Sequence, residues 1–246
     1  MKIIVTGGVG FVGTNLIKKL LSDGHDVVSL DNYSTGKKEN EQDGCKYIDV
    51  DVSDSLRRHK AFGLETYQLE KPDLIFHLAA LARIQPSLKK PASTISNNFM
   101  GTLNVLDYAR KDDVPVVYAG SSTFHHGLWG SQYAWSKHSG EQLCKLYSTI
   151  YNLPTSICRF YNVYGKHQLE DGAYATVVGI FEKQFREGRP LTITGDGKQR
   201  RDFTHIEDIV DALIKLGQSL LSEDNSNVSG ETFELGRGKN FSINEL

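Results

Sequence analysis

The chain has only three cysteines in 246 residues. Cys45, Cys144 and Cys158 are odd in number, widely spaced and in no C-x-x-C pair. Neither a disulfide framework nor a zinc site is indicated, so all three read as reduced packing residues and no metal is expected. There is no apolar run of about 18 residues, which excludes a membrane-spanning helix as an expectation. The amino end, Met1-Lys2-Ile3-Ile4-Val5-Thr6-Gly7-Gly8, lacks the apolar core and small-residue cleavage site of a signal peptide, and a cytoplasmic location is expected. An excess of charge of one sign is missing too: 28 basic residues stand against 30 acidic ones, a net charge of -2. Charge-driven nucleic-acid or membrane binding needs a basic excess or a basic face, so neither partner is expected, and an anionic ligand must be held by a few placed groups. With 39% apolar residues and 23 glycines, disorder and low complexity are out.

What is present is an alternation. Apolar runs of four to six residues alternate with longer helical patterns, the signature of βαβ units and a parallel sheet. Strands are expected at 2–6, 27–30, 46–48, 73–77, 115–118 and 156–160. Helices are expected from Phe11 to near Gly24, over 91–111 and over 131–152. This is an α/β chain with a doubly wound parallel sheet. Residues 1–165 form the sheet domain, and 166–246 form a smaller lobe partly interleaved with that sheet. In the lobe, a helix over 173–187, a strand Leu191-Thr192-Ile193-Thr194, a helix over 206–219 and a polar loop over 222–230 are expected. Ser242-Ile243-Asn244-Glu245 fits a capping box, which announces a helix that has no room to extend; the lobe is expected to be truncated.

Gly7-x-x-Gly10-x-x-Gly13 lies between the first strand and the first helix, where bare backbone can approach a pyrophosphate and helix amides can point at it. Alone, three such glycines could equally serve the turn and close helix packing. Asp31 ends the second strand 18 residues after Gly13, placed to accept hydrogen bonds from both hydroxyls of an adenosine ribose. The pair points to a dinucleotide in a Rossmann-type fold. A carboxylate there repels a ribose 2′-phosphate and no arginine lies in Asn32-Tyr33-Ser34-Thr35-Gly36, which favours NAD over NADP.

A tyrosine four residues before a lysine on one helix face lets the ammonium lower the phenol pKa and yields a base usable near neutrality. The spacing occurs as Tyr33 with Lys37, Tyr67 with Lys71 and Tyr133 with Lys137. Only the third opens a helix after a strand, Val116-Val117-Tyr118-Ala119-Gly120-Ser121-Ser122, and so faces the carboxyl edge of the sheet where ligands of such folds bind.

Taken together, VTGGVGFVG, LDNYSTG, DVDVSD, FHLAA, NNFMGTLNVL, the serine strand, YAWSK, RFYNVYG and GDGKQRRDFTHIED resemble, in order, the extended short-chain dehydrogenase/reductase family, on the side of the NAD-dependent nucleotide-sugar epimerases and dehydratases, UDP-glucose 4-epimerase type. The resemblance implies that Tyr133 takes the proton of a sugar 4-hydroxyl as its hydride passes to NAD. Lys137 lowers the phenol pKa and binds the nicotinamide ribose, and Ser122 hydrogen-bonds the reacting oxygen. A 4-keto sugar then turns over in the site and is reduced on its other face. The resemblance further implies cofactor contacts from Gly7, Gly10, Phe11, Val12, Gly13, Asp31, Asn32, Tyr33, Ser34, Thr35, Gly36, Asp51, Val52, Leu78, Ala79, Ala80, Ala82, Asn97 and Tyr161. Substrate contacts are implied for Asn162, Val177 and, on the pyrophosphate, Arg201. The helices over 91–111 and 131–152 resemble the family's dimer interface, so a homodimer is expected.

Two departures temper the substrate reading. The 4,6-dehydratases carry an acidic pair after the serine position and the related decarboxylases a glutamate, whereas Thr123 and Phe124 follow Ser122 here, which disfavours dehydration. Only residues 123–132 separate Ser122 from Tyr133, a short loop that leaves the sugar identity open among UDP-hexoses, UDP-N-acetylhexosamines and UDP-uronic acids; His125 and His126 in it are assigned no chemistry. The alternatives are a net nucleotide-sugar reductase or dehydrogenase, and a truncated, silent NAD-binding sensor or partner subunit.

Overall fold

The computed structural model describes residues 1–54 and 70–246. The strands are β1 (Lys2–Thr6), β2 (Asp26–Asp31), β3 (Lys46–Asp49), β4 (Leu74–His77), β5 (Val116–Ser121), β6 (Thr155–Phe160), β7 (Asn162–Tyr164), β8 (Arg200–His205), β9 (Thr232–Leu235) and β10 (Asn240–Ser242). Seven make a sheet in the order β3-β2-β1-β4-β5-β6-β9, every neighbouring pair parallel. The chain runs outward from β1 to β3 and then returns to β4 on the other side of β1. That reversal opens a crevice beyond the strands' carboxyl ends, the usual ligand site of such sheets.

The helices are α1 (Phe11–Ser22), α2 (Ile84–Lys89), α3 (Pro91–Ile95), α4 (Gly101–Ala109), α5 (Gln132–Tyr151), α6 (Val177–Arg186) and α7 (Ile206–Leu220). The near-continuous apolar run of β1 is explained by two covered faces. Ile3 and Val5 pack with Leu16, Ile17 and Leu20 of α1 and Ile209 and Leu213 of α7. Ile4, between them, packs in the opposite core with Leu106 of α4 and Cys144 and Tyr147 of α5. Cys144 and Cys158 are buried and Cys45 is half-buried, none in a disulfide.

The helical run expected over 91–111 is α3 and α4 joined by a wide π-type turn at Ser96–Met100, which carries the buried Asn97 and Asn98. Such widened turns are frequent at functional sites. The lobe departs more from expectation. Its helix starts at Val177, where Thr176 caps the amide of Gly179. Residues 191–194 do not form a strand. Gln184 of α6 captures that segment instead, its side chain accepting from the Thr192 amide and donating to the Thr192 hydroxyl. The lobe's own sheet is β10-β8-β7, over a core of Phe181, Phe203 and Ile243. The capping box forms reciprocally: the Ser242 amide donates to Glu245 Oε2 at 2.7 Å and the Glu245 amide to Ser242 Oγ at 3.2 Å. It closes a turn after β10, not a helix.

Candidate functional site

The crevice is built first from glycines. Gly7 has a left-handed φ of +75°, and a Cβ on Gly13 would lie 2.2 Å from the Gly7 carbonyl, so the turn itself requires both. Gly10 is different: a Cβ there would meet one atom, the Gly7 oxygen at 3.2 Å. Its bareness serves something outside the turn. Gly10 also starts α1 without a side-chain cap and with no acidic residue in the first turn, which leaves the helix amino end able to receive an anion. Phe11 and Val12 continue from it.

Asp31 ends β2, buried, accepting from the Val9 amide at Oδ2 (3.1 Å) and the Tyr33 amide at Oδ1 (2.9 Å). Burial raises its pKa, and the two amides oppose that rise. A carboxylate offers about four lone-pair sites, so two remain for ribose hydroxyls. Beside it, Asn32, Ser34, Asp51, Ser53, Leu81 and Asn97 line an open cleft of about 480 Å³. Asp51 organises that wall. Burial alone would raise its pKa, but donation from Ser53 (2.7 and 2.8 Å) and Asn32 (2.9 Å) outweighs burial and holds it below the ordinary carboxylate value.

Bare glycine backbone, an uncapped helix start and a carboxylate at the end of β2 with acceptor sites left over fit a dinucleotide. Of the residues expected at the cofactor, Val52 has its side chain buried in the core and its carbonyl taken by Asn104, which leaves main-chain contact as its means of reaching a ligand. Leu78, Ala79, Ala80 and Ala82 follow β4, the Ala79 amide tied to Thr6 Oγ1. Tyr33, Ser34, Thr35 and Gly36 form the turn after β2. Tyr33 stands at φ +53° with its hydroxyl on Glu41, and so shares no helix face with Lys37. Tyr67 lies outside the described residues.

Tyr133 stands at the first turn of α5, which Ser131 caps through the Ala134 amide. Its phenol donates to Ser121 Oγ at 3.3 Å. The expectation placed Ser122 at the reacting oxygen; the hydroxyl that the phenol meets is that of its neighbour. Ser121 is the last residue of β5, paired with Phe160, and its side chain turns back over the edge to accept from the Thr123 amide and hydroxyl. Ser122 already belongs to the following 3-10 turn, and the hydroxyl beside the phenol is Ser121's.

Lys137 is 4% exposed, its Nζ 4.3 Å above the Tyr118 ring. Burial lowers its pKa to about 8 against the opposing charge of Glu141. The Tyr133 phenol is raised by burial, opposed by the Ser121 hydrogen bond and by the charge of Arg83, a cation that the Tyr-x-x-x-Lys spacing does not reveal. Glu141, one turn beyond Lys137 and 1% exposed, is held by Arg159, whose Nη1 reaches on to Glu234. His125 closes this chain on Glu234 at 2.9 Å and stacks 6.5 Å from Tyr161.

The expected substrate contacts are spread along the lobe. Asn162 donates to the Asp202 carbonyl, which ties β7 to β8. Val177 packs partly into the lobe core. Arg201 is exposed on β8, paired across to Phe241, and makes no ion pair with Asp202 or Glu207. Among the described residues no helix is long and apolar enough to cross a membrane, and no three metal-ligating side chains converge.

The profile of the NAD dependent epimerase/dehydratase family matches residues 3–236. A putative UDP-glucose 4-epimerase of Methanocaldococcus jannaschii is 32% identical over 259 residues, covering 99% of this chain and 79% of that protein. A UDP-N-acetyl-alpha-D-glucosaminuronate decarboxylase of Bacillus cytotoxicus is 30% identical, covering 99% of this chain and 77% of that protein. Among solved structures, UDP-glucose 4-epimerase of Thermotoga maritima with UDP-glucose superposes with a TM-score of 0.86 at 28% identity, covering 100% of this chain and 80% of that one. With the crevice, the strand order and these likenesses running along nearly its whole length, the chain belongs to the NAD dependent epimerase/dehydratase family and its cofactor is NAD.

Proposed function

We propose that the chain is a nucleotide-sugar 4-epimerase acting on a UDP-sugar. The observation that carries this reading is the Tyr133 phenol against Ser121 at the carboxyl edge of β5, Lys137 one turn on, with Ser122, Thr123 and Phe124 supplying no carboxylate after Ser121. Decarboxylation and dehydration in this family use an acid there; moving one proton on and off O4 does not. The likeness to a uronate decarboxylase therefore carries over as a likeness of scaffold.

Gly10, the first turn of α1, Asp31, Asn32, Ser34, Asp51 and Asn97 would hold NAD, with Lys137 on the nicotinamide ribose. Bound NAD supplies a reversible hydride acceptor. The chain's own part is the proton. Tyr133 takes it from the 4-hydroxyl, and Ser121, whose Oγ stands 3.3 Å from the phenol, steers the same oxygen by donating its own proton. Arg201, exposed and, among the described residues, in no ion pair with a carboxylate, suits the substrate pyrophosphate, with Asn162 on β7 and Val177 in the lobe of 166–246 as the other substrate contacts.

The test is NAD-loaded protein mixed with UDP-glucose, UDP-galactose and their N-acetyl and uronic acid relatives, with products resolved by NMR. Interconversion at C4 without net NADH is expected; accumulation of NADH, or loss of carbon dioxide, would replace the epimerase with another member of the family. In the same assay Ser121→Ala should lower turnover about 100-fold, the scale of one donor to a developing oxyanion. Ser122→Ala should stay within about threefold, and the reverse order would restore Ser122 to the site.

We further infer a homodimer through α4 and α5 with the wide turn before α4. Leu106 is spent in the core and Leu103 and Leu143 lean on it, but Met100, Leu146, Ile150 and Tyr151 remain exposed. Light scattering should return twice 27.4 kDa, and Ile150→Glu should return it to 27.4 kDa.

A further inference from the structure

The loop after β4 carries one charged side chain that reaches across to the lobe. Arg83, at the cap of α2, is half-buried. Its Nε and Nη2 both donate to a single neutral acceptor, the Tyr174 carbonyl, at 3.1 and 2.9 Å, so the side chain bridges from the sheet edge to the segment that leads into α6. The loop behind it is tied to the catalytic helix. The Leu81 amide donates to Asn98 Oδ1 at 2.8 Å, Asn98 Nδ2 donates to Ser136 Oγ at 3.0 Å, and Ser136 Oγ donates to the Tyr133 carbonyl at 3.1 Å. Arg83 thus stands two residues from a peptide anchored within one turn of Tyr133, and its charge is felt at the Tyr133 phenol.

Among the described residues no carboxylate forms an ion pair with this guanidinium. A cation taken partly out of water without a counter-charge is costly, and two bonds to one carbonyl do not supply the charge. Of the five N–H donors of a guanidinium, three remain. The geometry therefore asks for an anion from the ligand, and two anions are on offer: the pyrophosphate of a sugar nucleotide and a carboxylate on its sugar. Position separates them. The pyrophosphate hangs from C1, across the ring from C4, whereas C6 is joined to C5 and lies two bonds from C4. A cation whose loop is anchored through Asn98 and Ser136 to the Tyr133 turn stands on the C4 side of the ring, where C6 lies.

Resting on the epimerase reading above, we propose that Arg83 binds the C6 carboxylate of a UDP-hexuronate, which makes UDP-uronic acids the preferred substrates over neutral UDP-hexoses. The planar fork suits a carboxylate in two-point contact, and a lysine's point charge would imitate it only in part.

The test uses the NAD-loaded protein and compares kcat/KM for UDP-glucuronate with that for UDP-glucose. The wild-type ratio should favour the uronate at least about tenfold. Arg83→Gln should lower that ratio about 30-fold, the range of one charge-assisted hydrogen-bonded contact, and Arg83→Lys should fall between. A ratio that Arg83→Gln leaves unchanged, whether both substrates fall together or neither does, overturns the proposal: Arg83 would then serve the pyrophosphate, the phenol or the Tyr174 segment. Should no UDP-sugar be interconverted, the epimerase reading fails by itself, and calorimetry decides this one. Tighter binding of UDP-glucuronate than of UDP-glucose, with the difference erased by Arg83→Gln, upholds it; equal binding of the two sugars overturns it.

Discussion

Tyr133→Phe is expected to lower C4 interconversion of UDP-sugars about 1,000-fold, the middle of the range for a lost general base, while leaving the affinity for NAD within about threefold. The substitution removes one oxygen and keeps the ring, so α5 should stay packed and the melting temperature nearly unchanged. What is lost is specific. The phenol oxygen is 3.3 Å from Ser121 Oγ, where the end of β5 and the start of α5 meet. Burial holds the phenol above its ordinary pKa, so it needs cations to act as a base; the charge of Arg83 opposes the rise, and Lys137 lies one helical turn away. Turnover by NMR and NAD binding by fluorescence titration, measured on the same preparation, separate chemistry from binding. A variant that keeps more than a tenth of wild-type turnover would place the base elsewhere.

The scaffold was legible because its signals are local and periodic. Val5 and Ile4 alternate between two cores, the Gly7 to Gly13 spacing sits where the first strand meets the first helix, and Asp31 falls where the second strand ends. Each of these needs only a few neighbouring residues to be read. The Tyr133 and Lys137 pair was singled out among three by its place after the serine strand, and the structure puts both residues on α5, the next α-helix after β5. Which of the two adjacent serines meets the phenol was not legible: they look alike until the register with Phe160 fixes which one ends β5. Arg83 was invisible for another reason, since its meaning comes from Tyr174, 91 residues away. Leu191 to Ile193 alternates like a strand, yet the side-chain amide of Gln184 claims Thr192 first. Small lobes built from long-range contacts carry few local signals, and their sheet, β10-β8-β7, brings together residues from three distant stretches.

Glu141→Gln is expected to cost about 3 kcal/mol of stability and to move the alkaline limit of activity to lower pH. The carboxylate is 1% exposed and takes Arg159 in a forked contact, Nε at 3.0 Å and Nη2 at 2.7 Å. Breaking a buried pair on one side leaves a desolvated charge, and about 3 kcal/mol is the lower end of that effect. The lower end applies because Arg159 keeps Glu234 at 2.9 Å and lies 3.6 Å from the Phe124 ring. For a chain of this length the melting temperature should fall by about 6–12 °C. A Glu141→Leu, Arg159→Met pair should recover most of that loss, because both charges leave together. The second effect runs along the helix. Burial lowers the Lys137 pKa to about 8 and the Glu141 charge opposes the fall, so removing that charge lowers it further. Lys137 then loses its proton at a lower pH than in the wild type, and with it the positive charge that the reaction uses. The alkaline arm of the kcat/KM profile should therefore shift down in pH in Glu141→Gln. An unshifted arm with an unchanged melting temperature would make the Glu141 and Arg159 pair a passive feature of the core. A lowered melting temperature with an unshifted arm would confine the pair to stability and remove its influence on Lys137.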